Sequence, residues 1–222
     1  MIKVFLFTIL VIAMNGIVAA EEEYIKVVLA NATYDIEIIE NTELKPGSNV
    51  KSMATKYQII INGGYYNEEK NPAGYLKISK KEINANINKK LSGAVVCNNE
   101  GNIEIVTTND LKTEKWDNIL QSGPFLIDPG GKMGIKIDDG KIANRTCIGK
   151  YKNGDIIIIH STKNTLYKLA KLVLDKEKEI DSLLNLDGGP MAGIWCINDN
   201  KKQVNNTSPA INYIGIRYKK SE

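Results

Sequence analysis

Along Tyr34-Asp35-Ile36-Glu37-Ile38 apolar and polar residues alternate, and a period of two predicts a strand with one buried face. The same reasoning predicts strands over 24–29, 33–40, 75–79, 93–97, 103–107 and 211–218. Gln58 to Ile61 and Asp155 to His160, the latter with four consecutive isoleucines, are continuous apolar runs. Such runs suit strands covered on both faces. Shorter strands are expected at 147–150 and 183–186. Gln121 to Ile127 is expected to form one strand carrying Gly123-Pro124 within it, followed by a turn at Asp128-Pro129-Gly130-Gly131. A period near 3.6 occurs where Leu166, Leu169, Ala170 and Val173 repeat, which predicts a helix with Ser161 or Thr162 as its cap. A shorter helix fits 49–56, and Pro46-Gly47 predicts a loop over 41–48. Many strands, few helices and no internal linker or repeat imply a single α+β domain, a mixed sheet whose strand-end loops form a polar cleft.

The N-terminus follows a different pattern. Lys3 precedes a nearly pure apolar stretch from Val4 to Met14, and Val18-Ala19-Ala20 then places small residues just before Glu21-Glu22-Glu23. This is the layout of a cleaved signal peptide over 1–20. The apolar core is shorter than the ~20 residues a membrane span requires. The expectation is a mature domain over 21–222, periplasmic or secreted, with no transmembrane anchor after processing.

Composition narrows the chemistry further. The 222 residues are 43% hydrophobic and 25% charged, with a net charge of +3. Their basic residues are scattered in pairs such as Lys80-Lys81 and Lys201-Lys202. A nucleic-acid surface concentrates positive charge on one face, so nucleic acid is not an expected partner. Cys97, Cys147 and Cys196 lack metal-ligand spacing. One disulfide with an odd thiol, or three buried free cysteines, are both compatible with the sequence.

Glycine-punctuated segments accompany the apolar strands: Ile61-Asn62-Gly63-Gly64-Tyr65-Tyr66-Asn67, Gln121-Ser122-Gly123-Pro124 and Asn185-Leu186-Asp187-Gly188-Gly189-Pro190. A fourth segment, Asn144-Arg145-Thr146-Cys147-Ile148-Gly149, sets an arginine among short polar residues. Glycine lets backbone approach a ligand closely, and strand ends hold side chains rigidly. Together the four segments outline a polar site.

In order and wording these segments resemble the phosphodiester glycosidase family over about 58–218. Where many relatives have Gly-Ser after the Asp-Gly-Gly loop, this chain has Pro190-Met191. Cys147 replaces a common alanine, and His160-Ser161 stand where Asp-Gly is frequent. The resemblance implies an exported hydrolase that cleaves a sugar-1-phosphodiester in an envelope or extracellular glycan, bacterial relatives being commonly linked to exopolysaccharide metabolism. The alternative is a non-catalytic carbohydrate- or phosphoglycan-binding domain that retains the cleft.

Breaking a bond at an anomeric carbon develops oxocarbenium character, which glycosidases usually meet with two carboxyl groups. Phosphate leaves readily, so a cation that holds it gains importance. Asp187 is the expected base or nucleophile, and Arg145 the expected phosphate-holding group through its bidentate fork. Backbone amides of Gly63, Gly64, Gly188 and Gly189 are candidates for phosphate or sugar oxygens, and Asn62 and Gln121 for sugar hydroxyls. A second carboxylate is unassigned, because Glu68-Glu69 and Asp138-Asp139 suit solvated loops. His160, at the end of an apolar strand, is read as a hydrogen-bonded structural residue, with a general acid or base as the alternative. No cofactor is expected, and a divalent cation at Asp187 stays open without assigned ligands.

Overall fold

The computed structural model describes residues 24–30, 33–41, 49–99 and 102–219. The expected signal peptide and nearly all of the expected loop at 41–48 lie outside the described residues. In chain order the strands are β1 (Ile25–Leu29), β2 (Tyr34–Glu40), β3 (Ile59–Asn62), β4 (Leu76–Ile78), β5 (Lys81–Asn84), β6 (Gly93–Cys97), β7 (Ile103–Thr107) and β8 (Asn118–Ser122). They continue as β9 (Phe125–Asp128), β10 (Lys132–Met133), β11 (Ala143–Tyr151), β12 (Ile156–Asn164), β13 (Ile180–Asn185), β14 (Ile194–Cys196), β15 (Gln203–Val204) and β16 (Asn212–Tyr218). Helix α1 (Val50–Met53) follows β2, and α2 (Leu166–Lys176) follows β12.

Three sheets result, ordered β1-β12-β11-β13-β9-β10, β15-β14-β3-β16-β2 and β5-β4-β8-β6-β7. Every ladder between these strands is antiparallel, so the α+β class stands while strand direction is not mixed. Inner faces of all three sheets share one core, with Ile156 and Ile158 meeting Ile61, Ile214, Val95 and Leu120. Ile157 and Ile159 point the other way, against Leu169, Ala170 and Val173 of α2. The isoleucine run is thus covered on both faces, as its lack of alternation predicts. The other two sheets close their outer faces with small satellites, Val50 and Tyr213 around α1 and Trp116 over Ala94 and Ile119.

Two elements differ from expectation. The segment 121–127 is two strands, since β8 belongs to one sheet and β9 to another. Chain direction changes between them at Gly123-Pro124, where a Cβ on Gly123 would come within 2.7 Å of the Ser92 amide nitrogen. Ser161 and Thr162 do not cap α2. Strand β12 runs on to Asn164 because β11 reaches back to Ala143 and supplies partners, Arg145 beside Ser161 and Ala143 beside Asn164. Thr165 caps the helix instead, accepting from the Lys168 amide at 3.1 Å. The cysteines are free and buried, and burial pushes Cys97 and Cys147 up to about 12 and Cys196 to about 11. They behave as small hydrophobes.

Glu177, at the C-terminal cap of α2, joins three elements. Its carboxylate accepts from Tyr24 Oη at 2.7 Å, Lys26 Nζ at 2.8 Å and Tyr151 Oη at 2.6 Å. Burial alone would raise its pKa, but the Lys26 ammonium and the two phenols outweigh that and hold it below its usual value. Glu177→Gln is expected to destabilise the protein by about 1–2 kcal/mol at pH 7, discounted because Lys26 is partly exposed. Urea melts of both proteins check this. The wild-type advantage is fully present above the ordinary glutamate pKa and should be lost as pH falls through the lowered folded value.

Candidate active site

Strands β3 and β13 come from different sheets, and the loops at their C-terminal ends hydrogen-bond to each other. The Asp187 amide donates to Gly63 O at 2.9 Å, and Asn62 Nδ2 donates to Asp187 O at 2.8 Å. Asn62 Oδ1 in turn accepts from the Gly193 amide at 3.0 Å. The joint is tight, because a Cβ on Gly63 would lie 1.9 Å from Asn212 Oδ1. Leu186 is fixed as well, its amide donating to Thr146 O at 2.9 Å.

Asp187 is 9% exposed. Burial raises its pKa to about 6 against the opposing hydrogen bond from the Gly188 amide, which reaches Oδ1 at 2.8 Å. No other carboxylate contributes to that shift. Glu69 binds Asn67, and Asp138 and Asp139 accept amides within their own turn, so both acidic pairs sit in exposed loops. Among the described residues no three His, Cys, Asp or Glu side chains gather as metal ligands.

Arg145 stands beside this loop. Its Nε donates to Asn164 O at 3.2 Å and its Nη2 to Lys141 O at 2.7 Å. Its Nη1 would lie 3.3 Å from a Cβ placed on Gly188, so the absent side chain there lets the loop approach the guanidinium. Both anchors are neutral carbonyls, and among the described residues no carboxylate forms an ion pair with Arg145. A half-buried cation with two donors fixed and no counter-ion is an anion-holding arrangement.

The other expected ligands fare differently. Gln121 Oε1 accepts from the Tyr75 and Asn88 amides at 3.0 and 2.9 Å, while Nε2 donates to Asn88 O and Thr108 Oγ1 at 2.9 and 3.1 Å. Asn62 is equally committed, so both amide side chains anchor loops. The Gly63 and Gly64 amides donate to Asn212 O and Oδ1 at 2.9 and 2.7 Å, and the Gly188 amide to Asp187. Gly189, with φ of 62° and nothing within 4 Å of an added Cβ, is the one of these glycines whose amide donates to no described group. Pro190 is accommodated in a single 3-10 turn over Gly189–Met191, and its carbonyl accepts the Thr207 and Ser208 amides at 2.8 and 3.0 Å.

His160 is 1% exposed, with Nδ1 3.2 Å from Thr146 Oγ1 and Nε2 without a partner. Burial lowers its pKa to about 4, so the ring is neutral near pH 7 and structural. Tyr65 is the residue that the sequence argument passed over. It lies in the first glycine segment, accepts a hydrogen bond from Asn185 Nδ2, and feels the charges of both Asp187 and Arg145. The Gln-Ser-Gly-Pro segment holds Asn185 from behind, Ser122 Oγ donating to Asn185 O at 2.8 Å and the Asn185 amide to Pro124 O at 3.0 Å.

A model of the phosphodiester glycosidase family matches residues 55–217. Among solved structures, the catalytic domain of zebrafish N-acetylglucosamine-1-phosphodiester alpha-N-acetylglucosaminidase, auto-inhibited by its pro-peptide, superposes with a TM-score of 0.61 at 15% identity. The match covers 90% of this chain and 85% of that one. A hypothetical protein from Synechocystis gives 0.62 at 13% identity, covering 85% of this chain and 57% of that one. No curated protein matches the sequence. At these identities the structural likeness speaks for the fold.

Proposed function

The chain belongs to the phosphodiester glycosidase family, and we propose that it is an exported hydrolase of sugar-1-phosphodiesters in an envelope or extracellular glycan. In this reading 1–20 is a leader, 21–222 the mature enzyme, and the polar cleft lies where the Asp187 and Gly63 loops meet Arg145. What carries it is an arginine lacking a counter-carboxylate, whose Nη1 approaches the backbone of Gly188, next in the chain to a desolvated aspartate. A phosphodiester supplies the missing negative charge, and its bridging oxygen is then set next to Asp187.

The reaction follows from those two groups. Arg145 Nη1 and the Gly189 amide hold the non-bridging phosphate oxygens. Water attacks the anomeric carbon and loses its proton to the Asp187 carboxylate. As the new C–O bond forms, the old one breaks, and its electron pair passes to the bridging oxygen, which departs on a phosphate monoester. With its pKa near 6, Asp187 is ionised at pH 7 and still basic enough to take that proton.

Hydrolysis of UDP-N-acetylglucosamine and of simpler sugar-1-phosphodiesters by the purified mature protein tests the proposal. Release of free sugar with a phosphate monoester is the expected result. Thermal stabilisation by every sugar phosphate in the panel with no turnover of any would replace the hydrolase with a binding domain.

A further inference from the structure

We propose that the phenolic hydroxyl of Tyr65 is a hydrogen-bond donor to the departing phosphate oxygen, oriented for that role by Asn185. The inference rests on the hydrolase reading above and adds the group that faces the leaving oxygen, where a second carboxyl group would stand in most glycosidases.

Hydrogen-bond bookkeeping fixes the direction of the phenol. Asn185 Nδ2 lies 2.7 Å from Leu186 O, and a carbonyl oxygen can only accept, so the nitrogen of the amide must occupy that side. Cys147 Sγ, 3.7 Å away, donates to the opposite side, Oδ1. The second proton of Nδ2 therefore points at Tyr65 Oη, which acts as the acceptor. That leaves the phenol its own proton, and among the described residues nothing accepts it. Every other polar group of Asn185 is occupied, its backbone by Ser122 and Pro124, so the asparagine cannot swing to relieve the arrangement. The Tyr65 ring is half-buried, so its free proton stays available to a ligand that enters the site.

Surroundings match the role. Burial and the Asp187 charge keep Tyr65 protonated far above the range of a working enzyme, opposed only in part by Arg145 and Asn185. It is therefore neither base nor nucleophile. The leaving phosphate monoester has a second pKa of about 6. Such a group needs no full proton transfer. A neutral donor that strengthens its hydrogen bond as negative charge gathers on the bridging oxygen is sufficient. Tyr65 keeps its proton throughout, and the electron balance is that of water addition and C–O cleavage alone.

Tyr65→Phe removes one oxygen and preserves the ring, so its melting temperature should remain close to wild type. On an alkyl sugar-1-phosphodiester its kcat is expected to fall about 100-fold with KM changed less than threefold. On the corresponding nitrophenyl phosphodiester, whose phosphate leaves more readily, the loss should shrink. The acidic limb of the pH–rate profile near pH 6 should persist, since it belongs to Asp187. Equal losses on both substrates would make Tyr65 a structural residue, and undiminished kcat would remove it from the site. Either result overturns the inference while leaving the hydrolase reading intact. A wild-type protein inactive on both substrates would instead sink the hydrolase reading, and this inference with it.

Discussion

Asp187→Asn is expected to lower kcat/KM by about 10²–10⁴-fold and to make the protein more stable at pH 7. Both effects have one origin. The carboxylate is buried, among the described residues only the Gly188 amide donates to it, and burial lifts its pKa to about 6 from the ordinary aspartate range. A group with a raised folded pKa contributes stability that is fully present below about pH 4 and lost as pH rises through 6. Above that, the ionised group is a liability of about 1–3 kcal/mol. Asparagine keeps an oxygen for the Gly188 amide and carries no charge, so the liability disappears together with the base.

The pH dependence separates this from a generic stabilising substitution. His160 has the opposite linkage, because its pKa falls from 6.5 to about 4 through burial. Its contribution is present above 6.5 and is lost as pH drops toward 4. In the wild type the two groups titrate over overlapping windows with opposing signs, so their sum should vary little between pH 6.5 and 4. In Asp187→Asn the loss from His160 is no longer offset, and stability should decline across that window. Urea midpoints at half-unit pH intervals measure it. A variant less stable than wild type at pH 7, or one with the wild-type pH profile, would contradict the burial of the charge.

How far the sequence reached depends on which property a residue exposes to it. Ile156–Ile159 announces burial on two faces because it lacks alternation, and its neighbours in the fold are those that burial requires. Asp187 and Arg145 both lie in segments whose glycines mark close backbone approach, and the structure brings those segments together. What a polar side chain is bonded to is not written locally. Asn62 and Gln121 look like sugar ligands in sequence, yet their partners lie far along the chain and hold them as anchors. The amides of Gly63 and Gly64 were equally ambiguous until Asn212 arrived from the last strand. Tyr65 illustrates the converse, since the partner that orients its hydroxyl is Asn185, 120 residues away. The break at Gly123-Pro124 was visible as two unusual residues, but a change of sheet is a tertiary event that a strand pattern does not encode.

Arg145→Ala is expected to weaken binding of a sugar 1-phosphate by about 10²–10³-fold, as for loss of one well-placed donor set to an anion. The size of the loss depends on how the side chain is held. Two of its nitrogens grip the carbonyls of Asn164 and Lys141, which aims the remaining Nη1 toward the Gly188 loop. The guanidinium is thus pre-oriented before ligand arrives, and little rotamer freedom remains to be lost on binding. Arg145→Lys tests this directly. An ammonium restores the charge but is a point donor without the planar fork, so it cannot hold both carbonyls and still face the phosphate in the same geometry. Lysine should therefore recover less than a tenth of the lost affinity. If charge alone sufficed, the lysine variant would bind like wild type, and calorimetric titration with a sugar 1-phosphate distinguishes the two. Binding by Arg145→Ala within threefold of wild type would place the phosphate elsewhere. Because the phosphate and the reacting carbon share one bridging oxygen, a phosphate bound elsewhere would also separate Asp187 from the bond it is proposed to cleave.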